Sequence, residues 1–149
     1  MSKFRYRMQN ILDVKSKLEE QARLEFALAN RALMEEEEKL QKLIDRKKAY
    51  EAEIVRLLHE KLRLEKIREN EQASKTMDTL IATQRLQVKA AERKVEQARL
   101  KLQEVMQERK THEKLREHAF EEFVQEENAR ESKEIDELTS YRYGLKEQE

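Results

Sequence analysis

Residues 59–76, HEKLRLEKIRENEQASKT, decide the fold, because a heptad pattern leads into this stretch and a second one leaves it. Before it, Ala22, Phe26, Ala29, Leu33, Glu36, Leu40, Leu43, Lys47, Tyr50, Ile54 and Leu57 follow one another at alternating steps of four and three. That alternation marks the seam of a coiled coil. After it, Met77, Ile81, Gln84, Val88, Ala91, Val95, Ala98, Leu102, Val105, Arg109 and His112 repeat the same rhythm. Two seams separated by a weaker segment predict a hairpin of two long helices, and hence an all-α fold. The competing arrangement is one continuous helix, ~220 Å long at 1.5 Å per residue, pairing with a second chain.

In a hairpin the two seams meet antiparallel, but a heptad repeat fixes their register only to within whole heptads. One register sets Glu36 opposite Arg109, Tyr50 opposite Val95 and Leu57 opposite Val88, with the turn in 69–76. A second sets Leu40 opposite Gln84, Leu43 opposite Ile81 and Leu57 opposite Ile67, with the turn near residue 62. Charge pairing favours the first, because a lone charge in a seam is costly. Neither stretch holds Gly or Pro, and Ser74 is the only plausible N-cap in either. Upstream, Ile11, Val14 and Leu18 lead into Ala22 through an eleven-residue step, which predicts a locally relaxed supercoil.

Composition agrees with long helices. Of 149 residues, 38% are hydrophobic and 43% charged, too little apolar surface for a compact globule. Proline is absent and glycine occurs once, while strong helix formers dominate, which separates the chain from a disordered one. Lys plus Arg number 32 and Asp plus Glu 32, both signs mixed along each helix, so nucleic-acid binding is disfavoured. The charge is uneven, however. Residues 115–149 hold five basic against eleven acidic side chains, whereas Lys3, Arg5 and Arg7 precede the first acid, Asp13.

The chemistry of catalysis is hard to place here. One glycine cannot build a phosphate-cradling loop. His59, His112 and His118 have no i, i+4 relation to one another, so they are read as solvated or seam-edge histidines rather than zinc ligands. Glu35 to Glu38 is read as a solvated face with Lys39 and Lys42 as helical partners. A two-helix coiled coil offers no water-excluding pocket to tune a carboxylate, so no catalytic, cofactor or metal site is expected. Cysteine is absent, and neither a signal-peptide core nor a membrane span is apparent, which fits a soluble intracellular protein.

The aromatic residues are few and grouped: Phe4 and Tyr6 at one end, Tyr50 in a seam, then Phe120, Phe123, Tyr141 and Tyr143. Tyr50 reads as core. With the turn near 62, any residues facing Phe120 and Phe123 must come from the first four. The second helix then runs past its partner and exposes Phe120, Phe123, Val124, Ile135 and Leu138, a stripe of the kind that binds a partner. Gly144 is placed as the C-cap of that helix.

Three segments carry a family resemblance: FRYRMQNILDVKSKLEEQARLE (4–25), RLEKIRENEQ (63–72), and ERKTHEKLREHAFEEF (108–123) followed by ARESKEIDEL (129–138). In this order they resemble FliJ, the small coiled-coil protein of the bacterial flagellar export apparatus, over essentially the whole chain. Phe4, Gln9 and Leu12 match the family's N-terminal pattern, and Glu113, Lys114, Leu115, Asp136 and Glu137 its C-terminal one. The resemblance implies an antiparallel two-helix coiled coil similar to the central stalk of rotary ATPases. It places the turn near 58–64, with helix one about 3–58 and helix two to about 143, and keeps 69–76 as the alternative turn.

It further implies a non-enzymatic part of type III export, serving flagellum biogenesis and through it motility and chemotaxis, peripheral at the cytoplasmic face of the cell membrane. The implied partners are the export ATPase FliI, the cytoplasmic domain of the export gate FlhA, and export chaperones. The residues expected to meet them are Phe4, Arg5, Arg7, Phe120, Phe123, Glu131, Asp136, Glu137, Tyr141 and Arg142. A generic spacer forming a parallel dimer is the alternative.

Overall fold

A computed structural model describes residues 2–60 and 63–148. It contains two helices, α1 (Gln9–His59) and α2 (Leu64–Gln148). Residues 61 and 62, inside the turn expected at 58–64, lie outside the described residues. Residues 69–76, the alternative turn, are helical and belong to α2. α1 opens at Gln9 rather than near residue 3, and α2 continues to Gln148 rather than ending near 143. Gly144 lies within α2 without a positive φ, so it is not a C-cap. A helix can carry a single glycine at a cost of about 1 kcal/mol, without ending there.

The termini next to the chain reversal suit their dipoles. Arg56 and His59 fall in the last turn of α1, and Glu65 in the first turn of α2. The chain forms two compact units, Met1–Glu20 with Glu104–Glu149, and Gln21–Gln103.

In the unit Gln21–Gln103 the helices run antiparallel. The core is the pair of seams: Ala22, Leu57, Ile67, Met77, Ile81, Val88 and Ala91 are buried, and every first-seam residue from Phe26 to Ile54 is half-buried. Lys101 meets Glu25 at 3.3 Å, Gln84 donates to the Glu36 carboxylate at 2.5 Å, and Lys47 meets Asp78 at 2.5 Å. These pairs belong to the register that sets Leu57 opposite Ile67. They exclude the register favoured by charge pairing, in which Glu36 faces Arg109. The lone seam charges are satisfied another way, since Glu36 takes the Gln84 amide and has Lys39 at 3.5 Å on its own helix.

In the unit Met1–Glu20 with Glu104–Glu149, Leu12 and Glu19 are buried, whereas Ile11, Val14 and Leu18 are 40%, 54% and 40% exposed. The eleven-residue step expected upstream of Ala22 is therefore absent. Leu12, Lys15, Glu19 and Ala22 keep the heptad spacing instead, which carries a carboxylate into the seam. Arg109 makes this possible: it bonds Glu19 across the seam, and its Nη1 holds Glu113 at 2.7 Å. Both partners hold its guanidinium in the charged form. Nearby, Lys15 meets Glu108 at 2.8 Å, and Arg116 Nε donates to Gln9 Oε1 at 3.0 Å.

Several carboxylates sit below their ordinary pKa of 4.5 because they accept hydrogen bonds from cations: Glu108 from Lys15, Glu96 from Arg99 and Glu53 from Arg56. A depressed folded-state pKa means that the unfolded chain binds more protons in acid. The stabilisation is present above 4.5 and is lost as pH falls below it. Only the Glu108 pair joins the two helices; the other two lie within one helix. Lys15→Gln is accordingly expected to flatten the fall in Tm between about pH 6 and about pH 3, followed by helical circular dichroism, while Arg99→Gln flattens it less.

Candidate partner-binding surfaces

The expected partner-binding residues fall into two groups within the same unit. The first is built where the residues before α1 lie along α2. Phe4 packs edge-on against Phe120 with ring centroids 5.1 Å apart, and tilted against Phe123 at 5.4 Å. The Arg116 guanidinium carbon lies 5.7 Å from the Phe4 centroid, close enough for a cation–π contact. Phe4 and Phe123 are half-buried, while Phe120 keeps 47% of its surface in solvent. The partners of Phe120 and Phe123 thus come from the first four residues, as the sequence analysis expects for a turn near 62.

Arg5 and Arg7 line an open groove with Glu122, Phe123 and Glu126. They are exposed, and no ion pair joins them to Glu131, Asp136 or Glu137 among the described residues. The acidic side chains beside the basic arm are Glu122 and Glu126, earlier on α2.

Among the described residues the arm's backbone bonds are local, Gln9 N to Tyr6 O at 3.2 Å and Ile11 N and Leu12 N to Met8 O at 3.1 and 3.2 Å, so the contacts of Phe4 with Phe120, Phe123 and Arg116 hold it against α2. Phe4→Ala is expected to release it, raising tryptic cleavage after Arg5 and Arg7 by about tenfold while leaving Tm nearly unchanged. Cleavage at the wild-type rate would show that the rings do not hold it.

The second group lies further along α2. From Asn128 to Glu147 every residue is exposed. Ile135, Leu138, Tyr141, Tyr143 and Leu145 retain 62%, 60%, 68%, 69% and 48% of their surface in solvent. Among the described residues the last half-buried one is Glu127, which Arg130 meets at 3.4 Å. Glu131, Asp136, Glu137, Tyr141 and Arg142 all belong to this unpaired stretch and form no ion pair among the described residues. The structure keeps the two groups apart in character: an aromatic clamp with a basic arm, then a helix exposed on every face.

Arg116 is not among the residues expected from the sequence, because its contact with the Phe4 ring depends on the arm folding back. Glu19 is not among them either, hidden by the more apolar Leu18 beside it. His112 is half-buried, and its Nδ1 has no hydrogen-bond partner. His59 and His118 are exposed. Among the described residues no cluster of His, Cys, Asp or Glu could hold a metal ion, and no helix is long and apolar enough to cross a membrane.

Comparison with characterised proteins and with solved structures returns no match. The family model described as flagellar FliJ protein matches residues 4–148. That span takes in the basic arm, both seams, the aromatic clamp and the uncovered end of α2, and the chain belongs to the flagellar FliJ family.

Proposed function

We propose that this flagellar export component acts without chemistry of its own, binding the ring of the export ATPase FliI through the uncovered end of α2 and promoting the ring's assembly. The gate protein FlhA, through its cytoplasmic domain, and export chaperones are its further partners, met at the cytoplasmic face of the membrane. The observation that carries this reading is the helix from Asn128 to Glu147, exposed at every residue yet continuous with a paired helix.

An isolated helix of that length is marginal in water. As an extension of a paired helix it needs no new nucleus and presents its side chains to a surrounding wall. Alternating charges, with Glu131, Asp136 and Glu137 among Arg130, Lys133 and Arg142, suit a polar inner surface, and Ile135 and Leu138 supply apolar anchors. Phe4, Phe120 and Phe123, with Arg5 and Arg7, form a second contact region at the ring's mouth.

The parallel-dimer spacer fits poorly. In each unit the apolar seam of α1 is already occupied by α2, leaving no continuous seam for a parallel partner. The test is the ATPase rate of the purified export ATPase with and without equimolar chain, with ring formation followed by light scattering. Stimulation with ring assembly is expected; an unchanged rate and mass would refute the reading.

A further inference from the structure

We infer that the uncovered end of α2 pairs antiparallel with the same segment of a second copy of this chain. The inference stands on the exposed face and its charge pattern, and does not rest on the ATPase reading. Asn128, Glu131, Ile135, Leu138, Arg142 and Leu145 follow one another at alternating steps of three and four, the spacing of a coiled-coil seam. No part of the same chain covers them, since all six are exposed.

The seam is self-complementary in one direction only. Centred between Asp136 and Glu137, an antiparallel pair sets Ile135 against Leu138 of the second copy, Glu131 against Arg142, and Asn128 against Leu145. Two-fold symmetry repeats each pairing, so a small apolar centre is flanked on both sides by an opposite-charge pair. A parallel pair would instead set Glu131 against Glu131 and Arg142 against Arg142, like charges in the seam. The flanking positions agree, because Glu134 then lies beside Tyr141 of the second copy and Ser132 beside Thr139, with no like-charge neighbours.

Neither Glu131 nor Arg142 has an ion-pair partner within the chain among the described residues, so pairing breaks no existing bond. The segment spans only about two and a half heptads, and its apolar centre is small. Association is therefore weak, with a Kd on the order of 100 μM. The face is the one proposed above for the ATPase, so pairing and ring binding exclude one another.

The test is sedimentation equilibrium of the full chain up to about 1 mM, roughly ten times that Kd. A monomer–dimer equilibrium is expected. E131R and R142E should each weaken it by about tenfold or more, and the double variant E131R/R142E should restore it, since it re-forms the pairs with reversed sign. Both substitutions fall on exposed positions, and unchanged helical circular dichroism verifies folding. The chain has no cysteine, so orientation can be read cleanly: N128C mixed with L145C should cross-link on oxidation, and L145C alone should not. A monomer at every concentration, single variants that associate like wild type, a double variant that fails to recover, or efficient self-linking of L145C would each overturn the inference.

Discussion

Leu57→Ala lowers the free energy of unfolding by about 2–4 kcal/mol, whereas Leu58→Ala changes it by less than about 0.5 kcal/mol. The two leucines are adjacent and chemically identical, yet Leu57 is 3% exposed and Leu58 56%. Leu57 faces the buried Ile67 where the chain reverses, and truncation there leaves a cavity that two stiff helices cannot close. The change should appear in urea unfolding as a lower midpoint with an unchanged slope. A cycle with Ile67→Ala should give a coupling of about 0.5 kcal/mol or more, because the sites share one packing layer. Equal effects at 57 and 58, or full additivity with Ile67, would mean that the register seen here is wrong.

Ile135→Asp combined with Leu138→Asp is expected to reduce the proposed stimulation of the export ATPase by about tenfold or more, with Tm unchanged to within about 2 °C. Both residues keep about three-fifths of their surface in solvent, so the fold has little to lose there. A carboxylate placed where an apolar anchor meets a partner must be desolvated without a counter-charge, and that opposes binding. The reverse pattern, full stimulation with a lower Tm, would remove the uncovered helix from the proposed mechanism and give it a structural role. Phe4→Ala serves as a comparison, because it frees the basic arm without altering the far end of α2. Equal losses in the two variants would locate binding at the aromatic clamp as well.

Much of the fold was legible before any coordinates. From Ala22 to Leu57 and from Met77 to His112, the three-four spacing picked residues that are buried or half-buried throughout, including the charged Glu36, Lys47 and Arg109. Periodicity succeeds there because a coiled-coil seam follows from helix geometry alone, whatever polar residue occupies a position. Hydrophobicity is the poorer guide where the two disagree. Ile11, Val14 and Leu18 are more apolar than their neighbours, but a heptad continued backwards from Ala22 passes through Glu19 and Leu12, and those are the buried ones.

The register shows the complementary failure. Matching Arg109 with Glu36 satisfies two seam charges in a single pair. The structure pairs Arg109 with Glu19 instead, and Glu36 is satisfied by the neutral Gln84. A sequence shows which residues face the seam; it does not show which charges a neutral amide or a neighbour on the same helix will satisfy. The family resemblance, by setting the turn near 58–64, pointed to the register that the cross-helix pairs display.

The proposed surfaces divide the same way. That Phe120 and Phe123 meet residues from the start of the chain follows from counting back from the turn, and Phe4 does pack against both rings. The contact of Arg116 with the Phe4 ring and the shared groove of Arg5, Arg7, Glu122 and Glu126 depend on the path of a non-helical arm, which no period encodes.

By itself, then, the sequence determined two long helices and their facing sides, because composition sets helix propensity and a heptad period is a local property of one strand. Only the tertiary structure decided the register, the burial of Glu19 with Arg109, the path of the arm and where pairing ends on α2. Those depend on which heptad meets which, and energies that differ by one or two ion pairs are settled only when both helices are present together.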